Sequence, residues 1–349
     1  MLAALKTFSD RLLGRGAAAL TVPPLDGALR PDNRLEDAPP GLTAKAPDTL
    51  ILLRGRPAWS EGARLMSEAG EISVFASAIT AMAVAADDRL AVATADGAIA
   101  IDGVVPPSLK DIACVTALAF AQDASLWIAI GSSDNPVHEW PRDLLELRRS
   151  GRLLRYEPRT GAVSLVADRL GFPNALLATT QGMIVSEAWT HRIMRYEASG
   201  RATPLVSDLP GYPAGLARSD AGGYWLAVFA PRSPLIELVL REPSYRRAMM
   251  RDVDPRYWIA PALSSGQSFL EPMQGGALKQ MGLLKPWAPT RSYGLVIEFG
   301  ADFTPIQSLH SRAGGRRHGL TSVLEHEGML WLAAKGGDEV LRLPMGDLR

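Results

Sequence analysis

ITAMAVAADDRLAVATADGAIAI, residues 79–101, is the stretch that decides the fold. An apolar strand runs into the Asp87-Asp88 turn, a second strand rich in Leu and Ala follows, and a third closes behind the Asp96-Gly97 turn. Working outward, the same unit returns as VTALAFAQDASLWIAI from Val115, NALLATTQGMIVSEAWTHRIMRY from Asn174, AGLARSDAGGYWLAVFA from Ala214 and GLTSVLEHEGMLWLAAKGGDEVLRL from Gly319. A weaker copy lies in DTLILLRG, ARLMS and EISVFASA between Asp48 and Ala78, which brings the count to six. Short alternating strands need a neighbour on each face, and radial stacking around an axis supplies one while leaving few open edges. A β-sandwich does not require successive units to resemble one another, so the repeat points to an all-β, six-bladed propeller.

Two of the units are interrupted after their second strand. SSDNPVHEWPRDLLELRRSG spans residues 132–151, with a short helix expected at Asp143 to Arg149; the other insert runs from about Pro231 to Ser292 and contains REPSYRRAMMRDVDPRYW, a helix followed by a Pro-containing loop. In a propeller the loop after the second strand returns to the face where the inner strand begins, so both inserts should cover the same mouth of the channel as a lid. Residues 1–47 read as an N-terminal helix and lead-in, with Leu2, Leu5, Phe8, Leu12 and Leu13 at helical spacing, and 48–349 as the propeller with its lid insertion at about 231–292.

With 47% hydrophobic and 21% charged residues the chain can bury a sizeable core, which excludes disorder. Lys+Arg and Asp+Glu balance at 37 each, so net charge gives no reason to expect a nucleic-acid partner. The single cysteine, Cys114, lies in an apolar run and cannot form an internal disulfide, which fits a reducing, cytoplasmic setting. Lys6, Asp10, Arg11 and Arg15 interrupt the apolar N-terminus, so neither an export signal nor a transmembrane segment is expected.

GRLLRYEPRTGAVSLVADRLGFPNALLATTQGMIVSEAWTHRIMRYEASG, residues 151–200, closely resembles the characteristic region of the strictosidine synthase-like proteins, and the likeness continues through LPGYPAGLARSDAGGYWLAV and TSVLEHEGMLWLA. These proteins are six-bladed propellers related to the SMP-30/gluconolactonase and paraoxonase groups. The resemblance implies the fold; activity must be argued from the site, because one fold hosts many chemistries. The family's Phe-Pro-Asn-Gly reads here Phe172-Pro173-Asn174-Ala175, keeping the asparagine that in related propellers faces the channel and can ligate a metal. The family's Glu-Thr is Glu187-Ala188.

The departures are informative. Where the family writes Pro-Asp-Asn, with an aspartate that ligates metal in gluconolactonase-like members, this chain has Pro213-Ala214-Gly215. The family's Asp-Ser-Ser is Gly131-Ser132-Ser133, and the position of the catalytic glutamate of plant strictosidine synthases is Thr321. A threonine without a partner lacks the basicity to deprotonate an amine, which argues against strictosidine synthesis itself. Asn174 and Glu187 are the remaining candidate ligands for a divalent cation such as calcium. A cation of that kind needs several oxygen ligands, at least one of them a carboxylate, and the channel retains one asparagine and Glu187, so the set argues against a resident ion.

His318, in Arg316-Arg317-His318-Gly319 just before an inner strand, and His191, just after a second strand, are placed for general-base chemistry at the mouth. Arg247 and Arg251, at i,i+4 in the larger insert, could present a fork to an anionic ligand. A Gly-x-Ser-x-Gly elbow at a strand-to-helix turn, a His-Glu-x-x-His run, a Cys-x-x-Cys pair and a nucleotide-binding glycine loop are all missing from the sequence. The leading expectation is a hydrolase acting on a small ester or lactone, with His318 or His191 as base, Asn174 orienting the carbonyl or an ion, and Glu187 orienting a histidine or ligating that ion. The alternatives are a non-catalytic propeller that binds a small molecule or a protein through its lid, and a lyase or synthase using another base.

Overall fold

The computed structural model describes residues 22–272 and 290–348, and the backbone alone of 279–280 and 283–284. The N-terminal helical pattern at residues 2–13 and the Lys285–Pro289 segment lie outside the described residues.

Six sheets are arranged as the blades of a β-propeller. Blade 1 comprises Pro47–Leu53, Arg56–Glu61, Arg64–Ser67 and Gly70–Val74; blade 2 has the three strands Ile79–Val84, Leu90–Thr94 and Ile99–Ile101. Blade 3 comprises Val115–Phe120, Leu126–Ile130, Gly151–Glu157 and Ala162–Leu170, and blade 4 Pro173–Thr179, Gly182–Glu187, Arg192–Tyr196 and Ala202–Val206. Blade 5 comprises Gly211–Arg218, Tyr224–Pro231, Leu295–Phe299 and Pro305–His310. Blade 6 takes Leu320–His326, Met329–Ala334 and Glu339–Pro344 from the C-terminal part of the chain and its outermost strand, Leu42–Thr43, from the lead-in. The pairs Leu42 with Val340 and Thr43 with Glu339 latch the ring shut.

All pairings within blades are antiparallel, and apart from the latch and the pair split by the second insert they join strands linked by short connections or by the first insert. The second strands are buried on both faces, as in Leu126–Ile130, because each blade is sandwiched between two others. Packing between blades follows. Leu50 and Trp59 of blade 1 meet Trp331 and Val340 of blade 6, while Ile51 and Leu65 meet Met82 and Val92 of blade 2. Trp127 and Leu153 of blade 3 meet Leu176 and Met183 of blade 4, whose Ile184 and Ile193 meet Leu226 and Ile297 of blade 5.

Both inserts sit on one face. The first forms a helix, α2 (Trp140–Glu146), three residues earlier than its sequence suggested because Pro141 opens a first turn well and Leu147 closes it in the left-handed conformation. The second forms two helices, α3 (Pro234–Arg241) and α4 (Pro243–Asp252); a single turn, α1 (Arg34–Asp37), lies in the lead-in. Leu145 of α2, Val239 of α3, Met249 of α4, Trp258 and Ala260 make one small core, and the Arg142 guanidinium lies 5.6 Å from the Trp258 ring centre. The two inserts therefore form one body.

The lead-in is held by Arg317, whose Nη1 donates to the carbonyls of Leu35 (2.5 Å) and Ala38 (2.6 Å) and whose Nη2 donates to that of Pro39 (2.9 Å). No helix among the described residues is long and apolar enough to cross a membrane.

Candidate functional site at the channel mouth

Each inner strand turns one short side chain, or none, toward the axis. Thr49, Thr80, Thr116, Asn174, Gly215 and Thr321 are these positions, one from each blade, and they line a cavity of about 250 Å³, at the small end for a ligand site. Three of them tie neighbouring blades together. Thr116 Oγ1 donates to Pro173 O (2.5 Å), Asn174 Nδ2 to Pro213 O (3.3 Å) and Thr321 Oγ1 to Asp48 O (3.0 Å). Gly215 stands where a Cβ would press on the backbone of Thr321 and Ser322 in the adjacent inner strand; only glycine allows that approach. Ala214, at the family's aspartate position, is buried beside it, and its carbonyl accepts from Ser186 Oγ at 2.9 Å.

Among the described lining residues, two are charged: Asp48, at the start of the first inner strand, and Lys335, in the turn after the second strand of blade 6. They form an ion pair with each other.

The rest of the mouth is largely apolar. Trp140 and Val137 come from the first insert, Leu263 from the second, and Phe172, Trp189 and Phe229 from strand ends. Phe172 lies 4.5 Å from Trp189, Trp189 6.1 Å from Trp140 and Trp140 5.4 Å from Phe229, centre to centre. Trp189 is fixed by its Nε1–H, which donates at 2.8 Å to Asp143, a buried carboxylate of α2 that also accepts from Asn135 Nδ2 at 3.2 Å.

Glu187 stands outside this lining and is completely buried. It accepts from the Gly171 N–H (2.9 Å), Thr190 Oγ1 (3.2 Å), the Tyr196 hydroxyl (3.1 Å) and both Nε (3.1 Å) and Nη2 (2.8 Å) of Arg192. With both oxygens engaged it has no capacity left for a ligand or an ion. Its work is local. It anchors the turn that presents Phe172, which has a φ of +58°, a conformation bulky residues adopt only when their surroundings impose it. The Trp189 N–H donates to Gly171 O at 2.9 Å, so the same turn carries both rings.

The histidines are also internal. His191 is buried; its Nδ1 lies 3.0 Å from Gly211 O, and since a carbonyl only accepts, Nδ1 carries the proton. Its Nε2 lies 3.7 Å from Glu237, yet the ring is neutral. Burial, and then the Arg232 charge that already occupies Glu237 at 3.0 Å, push its pKa down to about 3. His318 is buried between Ser292 Oγ (2.7 Å) and Arg312 O (2.9 Å), and burial lowers its pKa. Neither lines the channel, so neither acts on a ligand there directly. Both stand at the strand ends where the sequence puts them, but their rings turn into the protein, toward Gly211 O and toward Ser292 and Arg312 O. Arg247 and Arg251 lie exposed on α4, outside the lining, with Arg251 paired to Asp252 at 2.7 Å. They do not converge with Asn174.

The donor set can be tested against calcium. Glu187 is saturated, Asn174 donates its Nδ2 to Pro213 O, and the one carboxylate among the described lining residues, Asp48, already faces an ammonium. No group of three or more His, Cys, Asp or Glu side chains gathers among the described residues. These residues do not fit a hard divalent cation, which needs converging anionic oxygens.

Asp48, Lys335, Trp140, Trp189 and Phe229 were missed from the sequence as site residues. Trp189 follows Glu187 by two positions, at a strand end, and Trp140 stands in the insert read as a lid; aromatic residues there were the available signal.

No family model matches the chain, and no curated protein matches it. Solved structures do. A gluconolactonase from Xanthomonas campestris is 15% identical, over 89% of this chain and 88% of that one, with a TM-score of 0.49. A calcium-binding protein, regucalcin, from Agrobacterium tumefaciens is 13% identical over 85% and 83%, with a TM-score of 0.48. A virginiamycin B lyase from Staphylococcus aureus, with quinupristin, is 8% identical over 84% and 95%, with a TM-score of 0.48. At these identities nothing of the neighbours' chemistry transfers, and the six blades rest on the strand pairing above.

Proposed function

We propose that the channel mouth binds a small carbonyl compound with an apolar, ring-bearing body, and that the reaction carried out there is hydrolysis of an ester or lactone. One observation supports this reading above others: the Asp48–Lys335 pair is the sole charged feature in an otherwise neutral lining of described residues, which it shares with four aromatic rings. An ammonium has three protons, and one left over from the pairing with Asp48 would donate to a carbonyl oxygen and polarise it. Asp48 holds it in place, and Trp140, Phe172, Trp189 and Phe229 take the apolar body. The reaction class comes from the resemblance to strictosidine synthase-like propellers. Strictosidine synthesis is not proposed, since Thr321 donates its proton to Asp48 O and is no base.

A second reading, a propeller that binds without turning over, is favoured by the engagement of Thr116, Asn174 and Thr321 in blade-to-blade hydrogen bonds. A panel of lactones and aryl esters, assayed by thermal stabilisation and by product release, separates the two. Hydrolysis that falls at least tenfold in Lys335→Met supports the first. Stabilisation without turnover supports the second, and neither effect from any ring-bearing ester would remove both.

A further inference from the structure

Behind Leu263, on the rim, three polar side chains form a line. Ser265 Oγ lies 2.7 Å from Ser292 Oγ, Ser292 Oγ lies 2.7 Å from His318 Nδ1, and His318 Nε2 lies 2.9 Å from Arg312 O. The order of protons along this line is fixed from its inner end. A carbonyl oxygen only accepts, so His318 carries its hydrogen on Nε2 and presents a lone pair at Nδ1. Ser292 must therefore donate to His318, which leaves its own lone pairs to accept from Ser265. The Ser265 proton consequently points inward, along a path that ends on a neutral imidazole. Ser292 is fully buried, whereas Ser265 is half-buried and two residues from Leu263 of the channel lining.

The backbone beyond Ser265 adds a second feature. Gly266, with φ +82°, turns the chain so that the N–H groups of Gly266, Gln267 and Ser268 converge on one place, where they donate to the Glu271 carboxylate at 2.9, 2.9 and 3.1 Å. Convergent backbone N–H groups of this kind form a concavity for negative charge. The first of them belongs to the residue after the serine, the arrangement that stabilises an oxyanion in acyl transfer.

We propose that Ser265 is a nucleophile, activated through Ser292 by His318, with the Gly266–Ser268 N–H groups as its oxyanion site and Glu271 as an internal carboxylate that occupies that site until a substrate displaces it. In the step implied, Ser265 Oγ bonds to the acyl carbon as its proton passes to Ser292 and that of Ser292 passes to His318 Nδ1. The carbonyl π pair moves onto oxygen and then returns, breaking the acyl C–O bond. The departing alkoxide takes a proton from Ser292 Oγ, which recovers one from His318 Nδ1. Water then attacks the acyl–Ser265 ester, its proton entering the path, and Ser265 leaves and is reprotonated. This inference rests on the proposed function for its substrate class, an ester or lactone, and moves the acyl oxygen that reacts from Lys335 to the Gly266–Ser268 N–H groups. The serine itself is testable without one.

The test is labelling of the full chain with a fluorophosphonate, which bonds phosphorus to a nucleophilic serine and expels fluoride. Mass spectrometry should place one phosphonyl group on Ser265, and Ser265→Ala should abolish it with an unchanged melting curve. Ser292→Ala, which cuts the path but keeps the nucleophile, should slow labelling roughly 100-fold, the order of a general-base contribution. Glu271→Ala should accelerate it. His318 faces the Arg312 carbonyl, the Glu36 charge and the Tyr293 ring, and burial outweighs the first two in setting its protonation. The labelling rate should therefore already be level at its ordinary value near 6.5 and fall only in more acid solution. Failure to label Ser265, or equal rates in wild type and Ser292→Ala, would overturn the proposal. Labelling of Ser265 in a protein that hydrolyses no ester or lactone would leave the nucleophile standing and remove the channel reading instead.

Discussion

Replacing Glu187 by Gln tests the conclusion that this carboxylate is part of the framework and not of the ligand site. Four residues donate to it, and it is completely buried. Gln keeps the shape, but turns one acceptor into an –NH2 group that meets donors, and removes the charge opposite Arg192. A mismatched buried acceptor costs about 1–3 kcal/mol. The Arg192 side chain is 35% exposed, so its half of the ion pair is discounted to about 1 kcal/mol. The expected loss is about 2–4 kcal/mol. For a chain of 349 residues an unfolding entropy of about 2.1 cal/mol/K per residue converts this to a melting point lower by about 3–6 °C. The assay is calorimetry or near-UV circular dichroism, the latter also sensing Trp189, whose N–H is tied to the turn that Glu187 anchors. A variant that melts within about 1 °C of wild type while losing ligand binding would refute the reasoning and restore Glu187 to the ligand site.

Other outcomes follow from the same contacts. His191 and His310 are buried neutral, with pKa values lowered to about 3 and about 4 by burial first, and then by Arg232 and Arg34 respectively against the opposing pull of Asp208 and Asp32. Because the unfolded chain binds their protons more readily, stability should be fully present above about pH 6.5 and fall as the pH drops toward those values, by up to about 1.4 kcal/mol per unit for each ring. A His191→Asn/His310→Asn double variant should lose most of that slope between pH 6.5 and 5, measured by urea titration. Removing residues 1–43 takes the latch strand from blade 6 and the carbonyl partners from Arg317, which keeps Glu339 at 3.1 Å; at about 1 kcal/mol for each hydrogen bond lost, the cost is about 3–5 kcal/mol, visible as a lower melting point and as association through the freed Glu339–Pro344 edge. Gly336→Ala would drive a Cβ into the Leu263 carbonyl, so the rim should shift and ligand affinity fall while the blades stay folded by far-UV circular dichroism.

The fold was largely legible because propeller strands are local. The unit at residues 79–101 carries its own turns, and the structure pairs Ile79–Val84 with Leu90–Thr94 and that strand with Ile99–Ile101 as the repeat requires. The latch was not legible, since Leu42–Thr43 is too short to show a period and its partner lies about three hundred residues away. Helix α3 was hidden for a related reason: PLIELVLR is an apolar run that serves strand and helix alike until Pro234 and the Leu145–Trp258 core decide it.

At the candidate site, strand order tells which end of a blade a residue occupies but not which way its side chain turns. One residue of register separates a group that enters the channel from one that enters the core. Thus Thr321 lines the axis as its place in the inner strand requires, whereas Glu187 and His191, at a strand end and just beyond, turn inward to Arg192 and Gly211. The Asp48–Lys335 pair brings together the first and last blades, a contact that exists only once the ring has closed.

A crystal structure of the protein with whichever ring-bearing ester or lactone stabilises it most would show whether the mouth lined by Asp48, Lys335 and the aromatic rings is the ligand site. Density is expected at the mouth, with the ligand's ring against Trp140 or Trp189 and its carbonyl oxygen within hydrogen-bonding distance of Lys335 Nζ. A ligand bound elsewhere, with Trp140, Trp189 and Lys335 untouched, would contradict it.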